Sequence, residues 1–156
     1  MTKEKLLESL KAESVSIEES FLWEKLNILN FEISKNKTVP LAQKLSKYNI
    51  EIMLELKNKI LAVNENDVIN DVNIQMLKSA VDTYMDKYAE GQEELKTCIR
   101  IVAVYLTFVV KRPLHPVSIF DMEGRVLYKN GKTVCPLRKH EINKPDSLCH
   151  FCVSIS

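Results

Sequence analysis

Leu6, Leu7 and Leu10 return to one side of a helical wheel, the first of several stretches with apolar residues every three or four positions. A second stretch carries Phe21, Leu22, Leu26, Leu29 and Ile33 at helical spacing, with Trp23 off that stripe. Ser16-Ile17-Glu18-Glu19 before it fits a capping box, in which a serine oxygen and a glutamate satisfy exposed backbone donors. Pro40 suits the first position of a third helix, where no donor is needed, and Leu41, Leu45, Ile52, Leu56 and Ile60 recur along it. Asn73 to Glu90 reads as a fourth helix, with Leu77, Val81, Tyr84 and Tyr88 inward and Gly91 available as its C-terminal cap. The fifth helix is expected over Gln92 to Lys111. It is apolar nearly all round from Ile101 to Val110, which suits the centre of the assembly.

The pattern then changes. Four of the five prolines (113, 116, 136 and 145) and two of the three glycines (124 and 131) lie from Pro113 onward. That shift divides the chain into an α-helical body, residues 1–112, and a C-terminal segment, residues 113–156, docked on it. Within the second part, Asn130-Gly131 sits between two β-prone runs and predicts a hairpin. The fold class is therefore mainly α: a bundle of about five helices with a small C-terminal β-hairpin and a cysteine-rich knuckle. An isolated hairpin is marginal in water, so this part needs docking, a staple, or both.

The cysteines supply a candidate staple. Cys135, Cys149 and Cys152 fall within twenty residues of one another, while Cys98 lies apart in the fifth helical stretch. Thiolates separated by two residues can converge on one ion, and a third cysteine at a strand end adds another corner of a tetrahedron. Zinc is the expected metal, with an iron–sulfur cluster as the alternative, because soft sulfur ligands serve both. A disulfide or redox pair, or thiols packed as small apolar groups, are the rival readings. His115 is the favoured fourth ligand, ahead of His140 and Cys98, with His150 weakest because it lies inside the Cys149–Cys152 turn.

Composition narrows the function. The 156 residues include 22 basic and 21 acidic side chains, a formal charge of +1, which argues against a dedicated nucleic-acid binder. Split after Lys111, the chain carries 15 basic against 17 acidic residues up to that point and 7 against 4 beyond it. The resulting basic excess could meet an acidic partner, but an ordinary soluble surface is the preferred account of it. No apolar run reaches the roughly 20 residues a membrane span needs, and the charged amino-terminal stretch is no signal peptide, so a cytoplasmic protein is expected. Three glycines leave no room for a glycine-rich phosphate loop. Lys47, Glu51, Glu55 and Lys59, four apart, read as a solvated charge ladder rather than acid–base machinery. No catalytic motif emerges, and a binding or adaptor protein with an unidentified protein partner is the leading expectation. A metalloenzyme or redox protein built on the same cysteines is the alternative.

Pro113-Leu114-His115-Pro116, the Gly131 hairpin, Cys135-Pro136 and Leu148-Cys149 through Phe151-Cys152 together resemble the C-terminal signature of an uncharacterised protein family of methanogenic archaea. The resemblance covers about the last third of the chain. Family tails tend to carry a glycine- and proline-rich run where this chain has "SIFDMEG". The resemblance implies an archaeal cytoplasmic protein and brings no activity with it.

Overall fold

The computed structural model describes residues 1–62, 67–114, 127–129, 132–134 and 147–152. Five α-helices dominate: α1 Lys3–Glu13, α2 Glu19–Lys35, α3 Leu41–Asn58, α4 Asp71–Tyr88 and α5 Glu93–Val104. Two three-residue strands follow, β1 Leu127–Lys129 and β2 Lys132–Val134, paired antiparallel with Leu127 opposite Val134 and Lys129 opposite Lys132. Residues 130 and 131, on which the expected turn falls, lie outside the described residues.

Each helix forms for a local reason and is kept by its buried face. The Thr2 side chain caps α1, accepting from the Lys5 N–H at 3.2 Å, and Leu6, Leu7 and Leu10 are sealed from solvent. Asn70 caps α4 in the same way, accepting from Val72 N–H at 2.8 Å. In α4 the inward residues are Ile74, Leu77, Val81 and Met85. Residues 101–106 of the fifth helical stretch are all buried, and Tyr105 is among the largest wholly enclosed side chains. Arg100 pairs with Asp82 at 3.0 Å and Lys96 with Asp86 at 2.9 Å, tying α5 to α4. The start of the chain is held beside residues 67–69: Lys3 N–H donates to the Asp67 carbonyl and Ile69 N–H to that of Met1.

Several expectations need correction. Ser16 ends a 3₁₀ turn, Ser14–Ser16, and α2 starts three residues later with Glu18 as its cap and no side-chain bond, so the capping box does not form. Pro40 is the residue before α3 rather than its first, its carbonyl accepting from Gln43 and Lys44 N–H. Helix α3 ends at Asn58, which leaves Ile60 87% exposed instead of on the inner stripe. Tyr88, in the last turn of α4, is exposed, and α4 is capped by Ala89; Gly91, at φ +83°, makes the turn two residues later. Phe21 is also exposed, because only the Leu22 and Leu26 side of α2 faces the core.

The largest departure lies at the end of α5. The helix widens into a π turn over Tyr105–Val109, with Val110 N–H donating to the Tyr105 carbonyl at 3.1 Å. Lys111 then takes φ +52°, a left-handed conformation that helix ends normally assign to glycine. Arg112 N–H reaches back to the Leu106 carbonyl at 2.8 Å, closing the helix just before Pro113.

Candidate cysteine turn and the junction beside it

Cys149 lies within a single 3₁₀ turn, Leu148–His150, and Cys152 follows two residues after its end. Ser147 starts it, its hydroxyl accepting from Cys149 N–H at 3.2 Å, and Cys152 N–H donates to the Cys149 carbonyl at 3.3 Å. Leu148 and Phe151 pack against the hydrophobic core and fix the turn to the body. Both cysteines are half-buried thiols, and no disulfide joins them.

The remaining predicted ligands separate into two groups. Cys135, His115 and His140 lie outside the described residues. Cys98 is a thiol in α5 whose electrostatic neighbours are Lys25 of α2 and Glu94. Burial pushes that thiol up to about 11, which suits a packed apolar group better than a metal-ready thiolate. Among the described residues, no three histidine, cysteine, aspartate or glutamate side chains converge closely enough to hold an ion, so Cys98 does not join Cys149 and Cys152.

Tyr48 of α3 feels the charge of both the cysteine turn and a second polar region. Its hydroxyl donates to the Pro113 carbonyl at 2.9 Å. Burial pushes the phenol up to about 12; Arg112 opposes the shift, while Cys152 and Glu55 add to it. Beside it, Glu55 accepts from both the Tyr105 hydroxyl and the Arg112 guanidinium. Burial, then the bond to Glu55, holds the Tyr105 phenol well above its ordinary range. Glu55 is therefore not a rung of a solvated ladder. Its partners lie 50 and 57 positions away along the chain, a distance that spacing within α3 cannot reveal.

Fold and site define the class: a mainly helical protein whose C-terminal cysteine turn is seated on its core. The chain belongs to the archaeal family described as "uncharacterized protein conserved in archaea (DUF2115)", whose pattern it matches over residues 2–156. It is similar to a UPF0305 protein of Methanothermobacter thermautotrophicus, 35% identical over 57% of this chain and 62% of the relative. A UPF0305 protein of Methanocaldococcus jannaschii is 26% identical over 70% of this chain and 66% of the relative. One of Methanococcus maripaludis is 30% identical over 66% and 63% respectively. The chain thus spans less than two thirds of the length of these curated relatives. No solved structure matches it. Among the described residues no helix is long and apolar enough to cross a membrane.

Proposed function

We propose that this is a cytoplasmic, zinc-stabilised binding or adaptor protein, its C-terminal segment held by Cys135, Cys149, Cys152 and His115. The observation that carries the reading is the Cys149–Cys152 segment: two half-buried thiols, one within a 3₁₀ turn and one just after it, anchored by Leu148 and Phe151. A short, reduced cysteine turn with so little structure of its own gains most from an ion, since structural zinc contributes about 10–16 kcal/mol in small folds. Two strands of three residues would gain far less alone.

The binding half of the proposal is supported by α2. Its Leu22 and Leu26 are buried, yet Trp23, Ile28 and Phe31 are about half exposed or more. Lys25 and Lys35 lie over the Phe21 and Phe31 rings at 4.9 and 4.2 Å. An apolar, lysine-framed helix face suits an amphipathic protein segment with acidic flanks.

The test is metal analysis of protein isolated without oxygen or chelator. About one zinc per chain is expected, retained in wild type and reduced more by His115→Ala than by His140→Ala. A brown, iron-containing protein would instead favour the cluster alternative. A reduced, folded protein without metal would remove the zinc reading altogether.

A further inference from the structure

A cavity of about 330 Å³ opens beside the π turn, where the start of α1, the end of α3 and the end of the α5 stretch meet. Lys3, Lys59, Lys111 and Arg112 line it, against the single carboxylate of Glu55. Four cationic residues around one small space repel one another unless something anionic sits among them.

Among the described residues, the local carboxylates do not balance the set. Glu55 is engaged by Tyr105 and by one edge of Arg112, whose buried Nε has no hydrogen-bond partner among the described residues. Asp67 is shared: its Oδ2 lies 3.7 Å from Lys3 Nζ and 3.9 Å from Lys111 Nζ, both longer than a good charged hydrogen bond. Counting both carboxylates, two positive charges are left over.

Two features of the backbone and burial make this costly unless a ligand uses it. Lys3 is only 7% exposed although it stands in the first turn of α1, where the helix dipole disfavours a cation. Lys111 holds a left-handed conformation that a non-glycine residue adopts at a cost, and such strain concentrates at functional sites. Both features bring a cation to the same cavity.

We propose that this cavity binds a small phosphate-bearing anion, the guanidinium of Arg112 and the ammonium groups of Lys3, Lys59 and Lys111 contacting its oxygens. Guanidinium and ammonium donors match phosphate oxygens in charge and geometry. The volume exceeds that of one phosphate group, so a diphosphate or a compact phosphomonoester fits better than inorganic phosphate alone. The site is independent of any metal at the cysteine turn.

Isothermal titration of the reduced, full chain with inorganic phosphate, inorganic pyrophosphate and glycerol 3-phosphate tests this at fixed ionic strength. Saturable binding of at least one is expected, with pyrophosphate favoured if charge dominates and glycerol 3-phosphate if the organic part is recognised. Lys59→Gln and Lys111→Gln, both changes at side chains that reach solvent, are each expected to weaken binding about tenfold. Lys37→Gln, in the exposed stretch after α2, should leave it unchanged and report on nonspecific charge effects. Absence of saturable binding by all three anions overturns the proposal. So does equal weakening by Lys37→Gln, or binding untouched by both cavity variants.

Discussion

The cysteine turn and the Glu55 junction both act on the charge state of Tyr48, and they are built in opposite ways. The turn comes from six consecutive residues, Ser147 to Cys152, whose spacing alone announces a possible ion. The junction is assembled from α3, the π turn and the residues after it, with nothing in any one stretch to mark it. The difference teaches where chemistry can hide. Local motifs advertise thiols, whereas a carboxylate clamped by partners more than fifty residues away looks like an ordinary surface charge.

The sharpest way to break that comparison is to remove the thiols. Replacing Cys149 and Cys152 together with serine is expected to abolish zinc retention and to release residues 147–152 to rapid amide exchange. The cavity lined by Arg112 should keep its anion affinity. Metal analysis and exchange mass spectrometry read the two regions separately; parallel loss of both would show that they are one site.

Cys98 sharpens the contrast, because it is the thiol that the body holds. Its pKa is raised from 9.0 to about 11 by burial, so the unfolded chain loses this proton first. Stability from this group is therefore intact below pH 9 and declines as pH rises from 9 toward about 11. The loss amounts to up to about 3 kcal/mol by linkage. Denaturant unfolding across that range should lose that part of its pH dependence in Cys98→Ala.

At the junction, Tyr105→Phe removes a hydrogen bond to a charged group and should cost about 1.5–3 kcal/mol in denaturant unfolding. A change under 0.5 kcal/mol would show that Arg112 alone satisfies Glu55. Tyr48→Phe is expected to cost less, about 0.5–1.5 kcal/mol, since its partner is the neutral Pro113 carbonyl. The smallest effect belongs to Phe31→Ser on the exposed side of α2, within about 0.5 kcal/mol, against about 2–5 kcal/mol for Leu26→Ala on the buried side.

The apolar periodicity made much of the body legible. The Leu6, Leu7 and Leu10 face, the Leu77 and Val81 stripe and the enclosed run from Ile101 are where their spacing puts them. What escaped depended on contacts between helices or on the ends of elements. Ser16 has the right neighbours for a capping box but is consumed by a 3₁₀ turn, and Ile60 continues a period after the helix has stopped. The π turn falls within a run that is apolar except for Thr107, without glycine or proline to mark it before Pro113. Lys59 reads as a solvent charge and Lys3 carries no signal in sequence, because the cavity joining them to Lys111 and Arg112 exists only once α1, α3 and the α5 stretch have packed. Of the proposed zinc ligands, Cys149 and Cys152 were legible as a pair from spacing alone. Cys98 was legible as a core thiol, although sequence left it among the ligand candidates.

Zinc-edge X-ray absorption of the reduced, full chain tests the central claim most directly, because it counts ligands by element. Three sulfur neighbours at about 2.3 Å and one nitrogen at about 2.0–2.1 Å are predicted. A shell of oxygen and nitrogen alone, or no zinc edge in folded protein, would contradict the account.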